Sequence, residues 1–173
     1  MGNFGIVWRA ECLEGPHRGE IVAIKIVDCA QFEDASMQDL RRESAIMNTS
    51  RHRNIVSEHV AFITSNFLWI VMQIVDAGSC TDIMQMLLLQ TNQNGMRDEA
   101  VIATIISETM HGLRYLHSNG KIHRDIKGGN ILLTMRGEVL LSDFGVSAQM
   151  KKGQKNNTVC GSPCWMAPEV MQS

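Results

Sequence analysis

The sequence has little of what marks disordered or membrane-spanning proteins. Its 173 residues include only three prolines, and hydrophobic residues make up 45% against 20% charged, so a folded core is expected rather than extended disorder. No apolar run approaches the ~20 residues that a membrane-spanning helix needs. The opening MGNFGIVWRA has no basic segment leading into an apolar one, as a signal peptide would. We therefore expect a globular protein with no membrane partner.

The sequence also lacks a strong charge of either sign and a cysteine framework. A net charge of -2 predicts no nucleic-acid partner. The five cysteines are odd in number, and only Cys160 and Cys164 are close together, without a histidine pair at zinc-finger spacing. We favour reduced structural thiols over metal or redox use, which indicates a reducing, cytoplasmic compartment.

The first part of the chain is rich in strand patterns. Two β-branched runs, at 4–12 and 20–29, flank the turn-forming segment LEGPHRG and predict an antiparallel pair. A helix is predicted at about 35–50. Two more strands are predicted within 60–75, with TSN as their turn. These patterns indicate a small, mostly antiparallel sheet with one helix.

The second part changes to helical patterns. TDIMQMLLLQ predicts a helix with Thr81 or Asp82 as its N-cap. Residues 97–120 carry apolar side chains at spacings of three and four, which predicts a long helix ending at Gly120 as the C-cap residue. Two short strands, NILLT and EVLLS, follow. We expect the apolar stripe of the long helix to leave apolar surface exposed.

Between the long helix and these strands lies KIHRDIKGGNILL, residues 121–133. It has too many polar groups for a buried strand and flanks too apolar for a solvent loop. It belongs to an ordered set of motifs: the glycines of NFGIV, VAIK, a glutamate on the predicted helix, HRDIKGGN, DFG and APE. Each alone is weak, but together and in this order they resemble the eukaryotic protein-kinase signature set.

Longer segments narrow the resemblance. IHRDIKGGNILL, DFGVSA and WMAPEVM are similar to the Ste20-related kinases of the germinal-centre kinase group. GSPCWMAPEVMQ and DEAVIATII resemble the branch that contains the oxidative-stress-responsive and proline-alanine-rich kinases and their plant counterparts. The resemblance implies an α+β, bilobal fold, in which an antiparallel N-lobe with one helix (about 1–75) is joined by a hinge (about 73–80) to a partial helical C-lobe (about 81–173).

The resemblance also implies catalytic roles. Asp125 would orient the substrate hydroxyl and accept its proton, and Lys127 would neutralise the transferred phosphoryl group. A lysine at this position resembles the serine/threonine type of loop. Asn130 and Asp143 offer hard oxygen ligands suited to Mg²⁺. We expect a serine/threonine kinase that uses ATP and Mg²⁺ and acts on protein substrates in a signalling pathway.

Further residues are implied to bind ATP or to regulate. Lys25, paired with Glu43, would bind the α- and β-phosphates. The remaining ATP-binding residues would be Gly2, Gly5, Val7, Ala23, Met72 and Leu132. Arg124 would hold a phosphorylated Thr158, the target of a candidate upstream kinase, and Ser162 would lie near the substrate.

The match is incomplete at both ends and altered inside. The first glycine of the family's GxGxxGxV loop would precede residue 1, and the chain stops shortly after APE, so 1–173 is expected to be a partial kinase domain. Glu58 stands where the family has an apolar or aromatic side chain, which is costly if buried unpaired. A catalytically weak or inactive truncated kinase that binds nucleotide or a partner is the alternative. An unrelated globular protein is a third, which would require accidental motifs.

Overall fold

The computed structural model describes residues 6–28, 51–92, 95–143, 148–149 and 161–172, with the backbone alone at 148–149. The chain forms two compact units. The first comprises Met1–Arg51 and Val56–Val75, and the second comprises His52–Ile55 and Asp76–Ser173. Within the described ranges no helix is long and apolar enough to cross a membrane.

The first unit contains a four-stranded antiparallel sheet. Its strands are β1 (Ile6–Glu11), β2 (Ile21–Asp28), β3 (Glu58–Thr64) and β4 (Phe67–Gln73), in the order β1-β2-β4-β3. Both predicted strand pairs are confirmed. Ser65 and Asn66, the two residues between β3 and β4, have φ angles of 47° and 65°, as a tight hairpin turn requires. The predicted helix at 35–50 lies outside the described residues.

One face of this sheet carries four of the predicted ATP-binding residues. Val7 lies opposite Lys25 and Ala23 lies opposite Met72. Since alternate residues of a strand share a face, all four lie on the same face. Leu68 and Ile70, opposite Val27 and Lys25, extend that face and form its apolar cluster together with Val27. The face is therefore buried along β2 and β4.

The second unit is mainly helical, with α1 (Cys80–Thr91), α2 (Glu99–Ser118) and α3 (Pro168–Met171). The predicted N-cap of α1 was wrong. Ser79 is the cap, because its hydroxyl accepts from the Asp82 N–H at 3.1 Å while the Asp82 carboxylate accepts from the Ser79 N–H at 2.9 Å. This reciprocal pair is a capping box. The long helix ends at Ser118 with Asn119 as its C-cap, and Gly120 follows in the left-handed region.

Short strands and turns complete the second unit. β5 (Gly78–Ser79), β7 (Ile131–Leu133) and β8 (Val139–Leu141) form one sheet, and β6 (Lys121–Ile122) pairs with β9 (Ala148–Gln149). Two 3₁₀ helices lie at Gly128–Asn130 and Pro163–Trp165. The two predicted strands after the long loop are thus confirmed, as β7 and β8.

Helix α2 presents two kinds of apolar surface. Ile105 and Leu116 are buried, and Ile105 packs in a cluster with Cys80 and Val139. Val101, Ile106 and Met110, by contrast, are 45–58% exposed, as expected for the outer part of the stripe. With its antiparallel sheet in one unit and its helices in the other, the molecule confirms the predicted α+β, two-lobed fold class.

Candidate active site

The loop at 121–130 is a buried polar segment. Lys121, His123, Asp125 and Asn130 are each at most 8% exposed, although all four are polar or charged. Such groups are stable inside a protein only when hydrogen bonds replace the water that they lose. The partners of these side chains therefore define what the loop can do.

His123 anchors the loop to the end of β8. Its Nε2 lies 3.0 Å from the carbonyl oxygen of Ser142, and its Nδ1 accepts from the N–H of Asp125 at 3.3 Å. Because a carbonyl can only accept, Nε2 carries the proton and the ring is the neutral Nε2–H tautomer. Burial lowers the pKa of His123, which favours this neutral form. The imidazole thus sets the position of the Asp125 backbone.

The carboxylate of Asp125 receives three side-chain hydrogen bonds. Lys127 Nζ donates to Oδ2 at 2.7 Å, Asn130 Nδ2 donates to Oδ2 at 3.0 Å, and Ser162 Oγ donates to Oδ1 at 2.8 Å. Lys127 Nζ also donates to Ser162 Oγ at 2.9 Å. Asp125, Lys127 and Ser162 form a closed triangle, which holds the carboxylate and the ammonium in fixed positions.

These donors decide the charge of Asp125. Burial by itself would raise the pKa of this carboxyl, but the hydrogen bonds from Lys127, Ser162 and Asn130 outweigh it, and the pKa is lowered. Hydrogen bonds to the charged form stabilise that form. Asp125 is therefore ionised at neutral pH, as an acceptor of hydrogen bonds from hydroxyl groups should be.

Ser162 reaches the loop because a glycine precedes it. Gly161 has φ 128°, and a Cβ at this position would lie 2.7 Å from the carbonyl oxygen of Arg124. A side chain is excluded both by the backbone conformation and by this contact. Arg124 itself has φ 67°, an uncommon angle for a residue other than glycine. The close approach of these two backbones places Ser162 against Asp125.

Asn130 is held against Ser142, the residue that precedes Asp143 at the end of β8. The Ser142 N–H and hydroxyl both donate to the backbone oxygen of Asn130, at 2.9 and 3.2 Å, and Asp143 is the next residue. The Asn130 side chain donates through Nδ2, which leaves its Oδ1 as an oxygen ligand. An amide oxygen and a carboxylate are hard ligands of the kind that Mg²⁺ takes. These residues fit a magnesium ion.

The other described ATP-binding candidates are divided between the two units. Lys25 is 8% exposed, on the face of β2 that also bears Val7, Ala23 and Met72. Leu132 lies on β7 in the second unit, opposite Leu140 of β8. The remaining candidates, Gly2, Gly5, Glu43 and Thr158, lie outside the described residues. The predicted pairs of Glu43 with Lys25 and of Thr158 with Arg124 therefore stay predictions.

Glu58 is a buried polar group of the first unit. Both of its carboxylate oxygens are buried and have no hydrogen-bond partner among the described residues. Burial raises its pKa to about 7. Glu58 lies opposite Met72, on the face that carries Lys25. The sequence predicts that a carboxyl group buried here without a partner would be costly. Among the described residues, Glu58 is buried in this way.

One residue of the site was missed from the sequence. The motif alone assigns no role to His123. In the structure its side chain is 1% exposed and positions the Asp125 backbone. The signal that could have identified it is its place two residues before Asp125, directly after the strand residue Ile122. A polar ring flanked by a strand and a catalytic loop is more often an internal hydrogen-bonding group than a solvated one.

Comparison with known proteins identifies the family. The model of the protein kinase domain matches residues 1–173. The chain belongs to the protein kinase domain family. It is 44% identical over 173 residues to serine/threonine-protein kinase fray2 of Dictyostelium discoideum, 39% over 183 residues to germinal center kinase 3 of Caenorhabditis elegans, and 41% over 172 residues to serine/threonine-protein kinase 1 of Arabidopsis thaliana.

These matches cover 99% of the chain but only 16%, 30% and 19% of the three relatives. The chain therefore spans less than a third of the length of each of these curated kinases. The predicted resemblance to Ste20-related kinases of the germinal-centre group is confirmed by these relatives. Protein kinase domains in general use ATP and a divalent metal and act on protein substrates, and the Asp125 loop is the part of this kinase domain that the structure describes in most detail.

Proposed function

We propose that the protein containing this chain transfers the γ-phosphate of ATP to serine or threonine hydroxyls of protein substrates in a signalling pathway. The observation that carries the proposal is the triangle of Asp125, Lys127 and Ser162. It combines an ionised acceptor with a fixed ammonium group, and phosphoryl transfer depends mostly on positioning and charge neutralisation. The names of the relatives, serine/threonine-protein kinases, support the same class of reaction.

Asp125 orients the attacking hydroxyl. Its Oδ1 already accepts from a serine hydroxyl, that of Ser162, at 2.8 Å, so the same carboxylate has the chemistry to accept from a substrate serine or threonine. As the new O–P bond forms and the bond to the β-phosphate oxygen breaks, the hydroxyl proton passes to the Asp125 carboxylate. A lowered pKa makes Asp125 a weak base, which suits a loose transition state in which that proton moves late.

Lys127 neutralises charge on the transferred group. Its ammonium is 23% exposed while it contacts Asp125 and Ser162. A fixed cation of this kind stabilises negative charge that spreads over phosphoryl oxygens without reorganisation during the reaction. Ser162 holds the lysine and the aspartate together and is a positioning residue.

Asn130 and Asp143 would hold Mg²⁺, which supplies charge neutralisation for the phosphates of ATP. Lys25 would bind the α- and β-phosphates, with Glu43 as its partner. The other residues proposed to bind ATP are Gly2, Gly5, Val7, Ala23, Met72 and Leu132. Arg124 would pair with phosphorylated Thr158 after an upstream kinase has acted, since a guanidinium binds phosphate in a bidentate manner.

The chain as a whole is proposed to be a partial kinase domain, with an N-lobe at about 1–75, a hinge at about 73–80 and part of the C-lobe at about 81–173. A cytoplasmic location is part of the same proposal. It rests on the thiol content of the sequence, whose five cysteines form no evident disulfide framework.

The test is phosphoryl transfer from γ-labelled ATP to a basic acceptor protein, followed by analysis of the labelled amino acids. We expect label on serine and threonine. Label on tyrosine alone would contradict the specificity. Tight binding of ATP without any transfer, in protein already phosphorylated at Thr158, would instead support the nucleotide-binding alternative.

A further inference from the structure

Three metal-ligating side chains meet in the first unit. They are His17 and Glu20, before β2, and His59 on β3. Their ligand atoms all lie within 4.8 Å of one another. His17 Nδ1 is 3.0 Å from Glu20 Oε2, and the two imidazole rings lie with their centroids 4.0 Å apart. None of the three has a role in the proposed phosphoryl transfer.

The sheet brings these residues together. Gln73, the last residue of β4, donates its N–H to the oxygen of Ser57 at 2.9 Å and pairs with Val22 of β2. The start of β2 and the start of β3 therefore lie at the same end of the sheet. Glu20 directly precedes β2, and its backbone is tied to that of Cys12 across the hairpin.

An irregularity in β3 turns His59 toward the other two ligands. Glu58 pairs with Met72 and Val60 pairs with Val71, so His59 is an extra residue with no partner in the register. Such a bulge changes the direction of a side chain locally. Without it, residue 59 would take its ordinary alternating place on the sheet.

Two imidazoles and one carboxylate are a ligand set that zinc takes in proteins, with the fourth position open to water. Four ligands about 2.1 Å from zinc stand roughly 3.4 Å apart. Ligand atoms already within 4.8 Å reach that spacing by side-chain rotation, because Glu20 is 57% and His17 37% exposed. Magnesium prefers an all-oxygen octahedral shell and does not suit this set.

The chemistry of these three side chains also favours a bound metal ion. A neutral imidazole is the form that ligates a metal. A dication between the three groups would be ligated by two imidazole nitrogens and would neutralise the carboxylate.

We propose that His17, Glu20 and His59 form a binding site for Zn²⁺ or a similar first-row transition-metal ion. The ion cross-links the loop between β1 and β2 to the edge strand β3. This site is separate from the oxygen ligands Asn130 and Asp143, which are proposed for magnesium, and it does not depend on the proposed kinase reaction.

Zinc binding is measured on the purified, chelator-treated protein by competition with a chromogenic zinc chelator. We expect one zinc equivalent that requires these residues. His59→Phe and Glu20→Gln each weaken binding by at least the roughly 10–100-fold that loss of an outer-shell partner costs. His117→Asn, an exposed histidine of α2, is the matched control and leaves binding unchanged. Glu20→Gln keeps the proposal testable if His59→Phe does not fold, because Glu20 is exposed.

Two further measurements identify the ligands. Zinc raises the unfolding midpoint of the wild type by about 5 °C when it is present a hundredfold above its Kd, and it does not do so in Glu20→Gln. Cobalt in place of zinc shows d–d absorption without thiolate charge transfer. A thiolate band, unchanged binding in both variants, or no zinc binding at micromolar concentration overturns the proposal.

Discussion

The two units each bury a carboxyl group, and the two groups behave in opposite ways. Asp125 in the second unit is 5% exposed and receives hydrogen bonds from Lys127, Asn130 and Ser162. Glu58 in the first unit has both oxygens buried and no partner among the described residues. The pKa of Asp125 is lowered, whereas burial raises the pKa of Glu58 to about 7.

The comparison teaches that burial does not set the charge of a carboxyl group by itself. Loss of water raises the pKa in both cases, and donors placed around the carboxylate reverse the effect only for Asp125. One group is therefore held as an anion that can act on a hydroxyl. Glu58, by contrast, destabilises the folded state once it loses its proton.

Removing the charge of Asp125 is expected to have the largest effect. Asp125→Asn keeps the size of the side chain but removes the anion that is proposed to orient the hydroxyl and accept its proton. We expect kcat to fall by about 10²–10⁴-fold, the usual contribution of a positioned acid or base, in a steady-state assay with a protein substrate.

The matched control is Asp98→Asn. Asp98 caps α2 by accepting from the N–H groups of Ala100 and Val101, and asparagine caps equally well. Its kcat should equal that of the wild type. An Asp125→Asn enzyme with more than a tenth of wild-type activity would contradict the role given to Asp125.

Removing one hydrogen-bond donor to Asp125 is expected to have the next largest effect. Ser162→Ala removes one hydrogen bond to Asp125 and one acceptor for Lys127, so both groups lose their fixed positions. We expect kcat to fall about 10–100-fold, since small misplacements of reacting groups have effects of this size, with KM for ATP unchanged. Ser162→Thr keeps the hydroxyl and should restore activity; equal loss in both variants would show that the hydroxyl is not what matters.

Glu58→Gln is expected to stabilise the protein at alkaline pH. The pKa of Glu58 in the folded state, about 7, exceeds the 4.5 of an ordinary glutamate, so between these values the folded state binds more protons than the unfolded state. Stability from Glu58 is full below about pH 4.5, falls as pH rises toward 7, and does not fall further above it. At pH 8 the variant should gain about 1–3 kcal/mol in free energy of unfolding, because it removes the buried charge, whose cost is reduced by the partial exposure of this side chain.

The measurement is denaturant unfolding at pH 5 and pH 8, with Glu14→Gln on the exposed loop between β1 and β2 as the control. The gain from Glu58→Gln should be larger at pH 8 than at pH 5. If the change in free energy of unfolding depends on pH no more than in the control, the Glu58 carboxylate has a partner in the folded protein. The contrast with Asp125 would then disappear.

The smallest effect is expected for a partly exposed carboxylate with several donors. Glu108 accepts from Asn54 and from Arg53, which is 70% exposed, and its pKa is lowered mainly by the hydrogen bond from Asn54. Arg53→Ala should shift the unfolding midpoint only slightly, because exposed ion pairs contribute little. High salt should reduce the shift further; a shift as large as that of Glu58→Gln would contradict this ranking.

The strands and the order of the elements could be predicted because they depend on short-range patterns. β1 to β4 follow β-branched runs separated by turn residues, and α2 follows a repeat of three and four. The start of α1 was predicted wrongly. Thr81, Asp82 and Ser79 are all good capping residues, and only the backbone geometry shows that Ser79 takes the cap while Asp82 completes the capping box.

The candidate site was predictable as a list of residues but not as an arrangement. Asp125, Lys127 and Asn130 are close in the chain, so their proximity follows from their spacing. Ser162 is 37 residues from Asp125, and its contact depends on the close approach of Gly161 to the Arg124 backbone. The bulge that presents His59 depends on pairing between β3 and β4, which no local pattern encodes.

The sequence by itself determined the kinase motifs, the strand and helix types and the chemical groups available for catalysis, because these depend on residue identity and local spacing. The tertiary structure decided which of those groups are charged and where they point. The reason is that pKa and orientation depend on donors and burial supplied by distant parts of the chain. The same carboxyl group is an anion in a triangle with Lys127 and Ser162 at Asp125, and at Glu58 it is buried with no partner among the described residues.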